Sequence, residues 1–393
     1  MRIIFHIDVN SAYLSWTSVE RLKEGKSDLR EVPSIIGGNQ KSRHGVVLAK
    51  SIPAKQYKIK TGEPVANALR KCPNLVMAPP DHKMYAKYSK ELMKFLNTYT
   101  RKIEKVSIDE CYMDFTDIAH RFHSPLDAAF EIKDRIYETY GFTVNVGISS
   151  NKLLAKMASD FEKPNKVHTL FPEEIKAKMW PLPLSELYMA GHSSVETLKK
   201  LDIHTIGDLA KADVELIEIQ LKSHGRMLWE FANGIDDSPV QYIRQDAKGV
   251  GNSTTLPSDL QKREETEPVF FKLAKSVAER LKKEGQKANM VSTEIKYNNF
   301  SRVSHQKQLT KASNDVEEIY ENAMELFDEL WDGTPIRLLG IRTSKLVDEG
   351  EPEQLSLFDM ELPKKKDERE VKIEEAMKKL EEKFGKGIVK KGV

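Results

Sequence analysis

Apolar residues first gather in the run Ile3-Ile4-Phe5-His6-Ile7, which stops at Asp8; such a run predicts a buried strand over residues 2 to 8. The spacing then changes to a helical period from about Ser11 to Lys23, with Gly25 as the stop. Val46-Val47-Leu48-Ala49 reads as a short strand and Ile59 to Gly62 as a loop, while Pro64 to Cys72 and His82 to Tyr99 carry helical periodicity. In the latter, Tyr85, Tyr88, Leu92 and Phe95 fall on one stripe, the pattern of a face that packs into a core. Strands are expected on both sides of Asp109-Glu110, followed by a helix over Pro125–Tyr140, a strand over Phe142–Ile148 and a helix over Asn151–Phe161 that Pro164 ends. Strands and helices alternating around one sheet make an α/β or α+β domain.

Beyond Pro181-Leu182-Pro183 the pattern becomes one of short helices up to about Asp237, and Asp236-Asp237-Ser238-Pro239 reads as the start of a linker. A further unit is expected over residues 241 to 345, with strands near Val291–Tyr297 and Ile336–Ser344 and helices near Pro268–Glu284 and Asn314–Trp331. Past Val347 the chain is polar and reads as mobile until Lys364. A charged stretch from Asp367 to Phe384 then sets Val371, Met377, Leu380 and Phe384 on a weak helical stripe. No internal repeat interrupts this layout.

Length adds that 393 residues exceed one ordinary core, so two or three domains are expected. No apolar run approaches the ~20 residues needed to span a bilayer, and the N-terminus reaches Asp8 too early for a signal peptide. Two cysteines, Cys72 and Cys111, give neither a disulfide framework nor a zinc spacing, which fits the reducing cytoplasm and no membrane association. The net charge of +2 is uninformative, but its distribution is not. Residues 41 to 105 hold 15 Lys and Arg against 4 Asp and Glu, and residues 282 to 311 hold 7 against 2. Blocks this basic are either solvated faces or surfaces for phosphate.

Candidate chemistry sits in Ser107-Ile108-Asp109-Glu110-Cys111-Tyr112-Met113-Asp114. Adjacent acids inside an apolar, strand-like run need a positive partner, and hard carboxylate oxygens suit Mg²⁺, which keeps water and substrate phosphates in its shell. The bland alternative is a solvated turn. If Asp109 and Glu110 serve one site with Asp8, residues 107 to 110 must leave regular strand geometry, because neighbours on a strand point to opposite faces.

The run Phe5-His6-Ile7-Asp8, Tyr13, then Ser107-Ile108-Asp109-Glu110 resembles the Y-family translesion DNA polymerases of the DinB/UmuC type. The likeness continues through Val146-Gly147-Ile148-Ser149, Lys152 to Asp160, Lys163-Pro164-Asn165, Thr205 to Leu209 and Gly225-Arg226, so it covers residues 1 to 345. It implies an α+β multidomain right hand: a palm from 1–24 and 79–172, fingers from 25–78, a helix-hairpin-helix-like thumb from 173–237, a little finger from 241–345 and a tail from 346. It implies a bacterial, low-fidelity, DNA-templated DNA polymerase that passes template lesions and moves dNMP to a primer 3′-hydroxyl. Two Mg²⁺ ions, replaceable by Mn²⁺, would be held by Asp8, Asp109, Glu110 and the Val9 carbonyl. Tyr13 would be the steric gate against ribonucleotides, and Lys163 and Lys55 would meet the triphosphate.

Two positions depart from the family pattern. Ile52-Pro53-Ala54-Lys55 stands where the family often has Tyr-x-x-Arg, and Lys lacks the bidentate fork of Arg. The thumb turn Met189-Ala190-Gly191-His192 lacks the first of two glycines. Lys296 and Arg302 of the little finger would contact DNA phosphates. Gln354-Leu355-Ser356-Leu357-Phe358 resembles the bacterial motif that docks on the sliding clamp (the beta subunit). The expected partners are therefore primer–template DNA, dNTPs and the clamp, around a monomer. Against this stand a DNA-binding accessory protein of the same family with a decayed site, and another two-metal palm enzyme such as a nucleotide cyclase.

Overall fold

The computed structural model describes residues 1–38, 45–243 and 246–350. Gln354, Leu355, Leu357, Phe358 and the 367–384 stripe lie outside the described residues. The chain divides into two compact units, one of residues 1–246 with 255–259, the other of 247–254 with the residues from 260 on.

The first unit runs β1 (Ile4–Val9), α1 (Ala12–Lys23), β2 (Ser34–Gly37), β3 (Val47–Lys50), α2 (Ile52–Gln56), α3 (Val65–Lys71), β4 (Val76–Ala78) and α4 (His82–Leu96). It continues with β5 (Ile103–Lys105), β6 (Glu110–Asp114), α5 (Pro125–Tyr140), β7 (Val144–Ser149), α6 (Lys152–Asp160) and β8 (Val167–Thr169). Its main sheet has the order β5-β6-β1-β7-β8, so the first strand of the chain is the middle one and pairs antiparallel with β6 and β7. Alternation along β1 sorts its side chains. Phe5, Ile7 and Val9 enter a core with Trp16 of α1, Tyr85 and Leu92 of α4 and Ile132 of α5. Ile4, His6 and Asp8 take the opposite face, where Ile4 packs with Tyr112 and Ala155 of α6.

The helices begin where the side chains allow. Ser124 caps α5 by accepting from Asp127 N at 3.1 Å, with Pro125 in the first turn, and Asn151 caps α6 by accepting from Leu154 N at 2.8 Å. The segment around Gly37, read as mere punctuation, forms β2 of a second sheet ordered β3-β2-β4, and Ser51 caps the short α2 through Ala54 N at 3.1 Å. The stretch of short helices resolves into α7 (Ile175–Lys178), α8 (His192–Lys199), α9 (Ile206–Lys211), α10 (Val214–Leu221) and α11 (Ser223–Ala232). They share a core of Ile175, Leu184, Leu198, Ile206, Leu209, Ile217 and Leu228 with Leu153 and Leu154 of α6.

The second unit runs β9 (Gly249–Leu260, less residues 255–259), α12 (Arg263–Lys283), β10 (Gln286–Tyr297), β11 (Arg302–Ser313), α13 (Val316–Leu330) and β12 (Ile336–Asp348), with the sheet order β11-β10-β12-β9. Ala288, Val291, Ile295 and Tyr297 of β10 are buried, with Phe270, Val277 and Phe327 from the two helices. Two expectations need correction here. Helix α12 starts at Arg263, so Pro268 lies inside it rather than opening it; as the sixth helical residue it leaves the Glu264 carbonyl without its i+4 N–H, a cost that the packing of the rest of the helix outweighs. β9 and β11 escaped the apolar pattern because most of their residues are exposed or half-exposed.

Candidate active site

A cavity of about 710 Å³ in the first unit is lined by Asp8, Val9, Asn10, Tyr13, Lys55, Asp109 and Lys163, among others. Six of the seven residues assigned to metal and nucleotide from the sequence thus reach one cavity, and Glu110 does not line it. β1 supplies Asp8 and Val9; the chain then turns sharply at Ser11, whose φ of 47° is left-handed, and enters α1. That turn brings Tyr13 into the space that Asp8 faces.

The stretch before β6 leaves strand geometry, as the pairing of Asp109 with Glu110 required. Residues 107–109 form a bend, closed by Val106 N and Ser107 N donating to the Glu110 carbonyl at 3.1 and 3.3 Å. Ser107 Oγ donates to Asp109 Oδ1 at 2.6 Å, and the Asp109 carbonyl accepts from Val9 N at 3.0 Å. Glu110 begins the strand and pairs with Asp8, so the two carboxylates start from one face of the sheet.

Their charges are answered by lysines. Lys163 Nζ binds Asp8 Oδ2 and, at 2.8 Å, Asp160 Oδ1. Lys156 Nζ lies 3.0 Å from Glu110 Oε2 and 3.4 Å from Asp160 Oδ2. The buried His6 Nε2 lies 3.3 Å from Glu110 Oε2 without a well-aligned hydrogen bond, while its Nδ1 meets Ser159 Oγ at 2.8 Å. Contact with His6 and the Lys156 ammonium pull the Glu110 carboxyl down to about 2, against its burial. Burial pushes Asp109 the other way, above the usual carboxylate range, helped by the negative charge of Asp8 and Glu110. Burial works against the charged forms of Lys156 and Lys163, yet the surrounding acids hold both above the ordinary lysine value.

Tyr13 is half-buried and stacks on Tyr85, ring centroids 4.4 Å apart and planes 12° from parallel. One face of its ring is therefore fixed by packing, and the residue lines the cavity as well. Its core role and its candidate site role coexist. Lys55 and the 51% exposed Ile52 lie on α2 at the same cavity. Arg30 and Lys50 also line it, and nothing in their sequence spacing signals this; each is anchored by a carbonyl, Arg30 to Gly141 at 2.7 Å and Lys50 to Ile59 at 2.6 Å. Lys156, Asp160 and Lys163 did carry a signal, an i, i+4, i+7 spacing that places charges on one side of a helix and its exit.

Among the described residues no three His, Cys, Asp or Glu side chains already converge as a metal requires. The donor chemistry nevertheless fits a hard divalent cation. Three carboxylates lie close enough to act on each other's protonation, and two are already neutralised by ammonium groups.

The profile of the impB/mucB/samB family matches residues 7–160, and that of its C-terminal domain matches 247–357. The chain belongs to this family. It is 46% identical over its full length to DNA polymerase IV of Clostridium acetobutylicum, covering 98% of that protein. It is 38% identical over its full length to DNA polymerase IV 1 of Bacillus subtilis, covering 92%. A solved Y-family DNA polymerase chimera superposes with a TM-score of 0.77 over 88% of this chain and 99% of the other, at 23% identity. The α+β architecture of palm, fingers, thumb and little finger is thus that of the fold this family uses.

In this impB/mucB/samB member the turn Met189-Ala190-Gly191-His192 carries a strained backbone position. Met189, standing where the first glycine is expected, takes φ +69°, a left-handed conformation that side chains resist. Gly191 still caps α8. No helix among the described residues is long and apolar enough to cross a membrane.

Proposed function

We propose that this chain is a DNA-templated DNA polymerase of the translesion type, adding dNMP to a primer 3′-hydroxyl with release of pyrophosphate. The observation that carries the reading is the meeting of Asp8, Asp109, Tyr13, Lys55 and Lys163 at one cavity in a chain whose full-length relatives are DNA polymerases IV. We assign the palm to 1–24 and 79–172, the fingers to 25–78, the thumb to 173–237 and the little finger to 241–345.

In this reading the 3′-hydroxyl attacks the α-phosphate in line with the leaving pyrophosphate, and the obstacle is negative charge on the transferring group. Asp8, Asp109, Glu110 and the Val9 carbonyl would hold two Mg²⁺ ions, or Mn²⁺. These supply Lewis-acid stabilisation of the attacking and leaving oxygens. The carboxylates bind and space the cations, and Glu110 must turn from Lys156 to do so. The Arg30 guanidinium is already paired with Asp28 at 2.7 Å, whereas Lys163, Lys55 and Lys50 offer positive charge to the triphosphate. So does the N-terminus of α1, which has no acidic residue in its first turn and no capping side chain. Tyr13, braced by Tyr85, sits where the sugar would lie, and a ring fixed on its far face cannot retreat from a 2′-hydroxyl.

Primer extension on undamaged and abasic templates tests the proposal: divalent-dependent extension of both is expected, and none by the intact chain would overturn it. Recruitment by the sliding clamp through Gln354, Leu355, Leu357 and Phe358 belongs to the same proposal, as do a monomeric state and a cytoplasmic location. Deleting 354–358 should lower clamp-stimulated synthesis and leave basal extension unchanged.

A further inference from the structure

Asp160 lies between two ammonium groups that each also touch a carboxylate of the proposed metal site. The alternating chain runs Glu110, Lys156, Asp160, Lys163, Asp8, with 3.0 Å between Lys156 and Glu110, 3.4 Å between Lys156 and Asp160, and 2.8 Å between Lys163 and Asp160. Its ends are cross-strand neighbours on β6 and β1, so the arrangement closes into a ring of three acids and two bases on one side of the sheet. A divalent cation entering at Asp8 and Glu110 meets oxygens already holding ammonium groups. Lys156, with a side chain 15% exposed, would face an uncompensated desolvation cost if stripped of every partner, and the more exposed Lys163 a smaller one. Asp160 is the one acid in the ring left to receive both.

We infer that Asp160 is a positioning residue for metal loading, one that retains Lys156 and Lys163 as a divalent cation displaces them from Glu110 and Asp8. The two lysines are stand-in cations. They compensate the charges of Asp8 and Glu110 until metal arrives, and Lys163 then turns from Asp8 toward the phosphates of the nucleotide. The inference rests on the reading of Asp8, Asp109 and Glu110 as metal ligands and adds the groups that control access to them.

The test is Mn²⁺ binding to the full chain, followed by electron paramagnetic resonance of free Mn²⁺, in the absence of turnover. Asp160→Asn should weaken binding about tenfold, the effect one neighbouring charge has on a half-buried ionic site. Lys156→Met should tighten it. In a Lys156→Met, Lys163→Met background, adding Asp160→Asn should change nothing, because the lysines through which Asp160 acts are gone. An equal loss in both backgrounds would mean that Asp160 acts only as a distant negative charge, and overturns the inference, as would weaker binding in Lys156→Met. Asp160→Glu, which keeps the charge, should restore most of the affinity; failure to do so in a folded protein also counts against it. Asp109→Ala run alongside separates the two levels. If it leaves Mn²⁺ binding intact, the metal-site reading itself fails, whereas the Asp160 outcomes bear on the relay alone.

Discussion

Lys156 and Lys163 of the first unit each touch two carboxylates, whereas Arg342 on the helix-free sheet face of the second unit touches none among the described residues. On that face Arg302 pairs with Glu294 at 2.8 Å and Lys296 lies over the Phe300 ring at 4.6 Å, both near the surface. The difference follows from what each place would hold. In the first region the acids and lysines compensate one another, an arrangement whose partners would be exchanged if divalent cations and a polyphosphate were to load. A surface for a polyanion of any sequence gains by leaving cations to water, since the counterions released from DNA drive binding.

Breaking the first region should cost most. Asp8→Ala is expected to lower nucleotide incorporation by about three orders of magnitude, several kcal/mol of lost charge stabilisation, and it also frees Lys163 from its partner; single-turnover incorporation reads the loss. Tyr13→Ala should raise ribonucleotide incorporation by about tenfold or more, the scale of steric discrimination by one side chain. Tyr13→Phe should not, because the ring and its stacking on Tyr85 remain; competition between dNTP and rNTP measures both.

Changes in the second region should act on affinity instead. Arg342→Ala is expected to weaken primer–template binding severalfold and lower the slope of log affinity against log salt by about one, with the maximal rate unchanged. A salt titration of binding checks this, and a fall in maximal rate with no change of slope would erase the contrast between the regions. The smallest effect expected is at the turn of residues 189–192. Met189→Gly relieves a left-handed side-chain residue, a gain of about 1 kcal/mol before the added freedom of the unfolded glycine is counted, readable as a higher midpoint in urea unfolding.

What the sequence disclosed follows the same division. α1, α4, α5 and α6 were legible because burial writes a helical period into their apolar residues, and β1, buried on both faces, was legible as an unbroken apolar run. The bend at 107–109 was legible as a requirement, since two adjacent acids could serve one site in no other way. β9 and β11 were not, because their partners and not their own residues make them strands: Arg302 to Ser313 shows no alternation, yet pairs with β10 along most of its length. Arg30 and Lys50 were hidden for another reason. A single cation reaching a cavity from a second sheet leaves no local pattern, and only the fold that sets β3 and the loop before β2 beside Asp8 reveals it. The lysines opposite Glu110 and Asp8 were visible as spacing, but their pairing required the sheet register.

The division of labour itself is tested most directly in one variant. For Asp109→Ala, primer–template affinity and single-turnover incorporation are measured on the same preparation. Affinity equal to or tighter than that of the unaltered chain is expected, with incorporation reduced by about a thousandfold. Incorporation that persists, or a loss of rate matched by an equal loss of DNA affinity, would contradict that division.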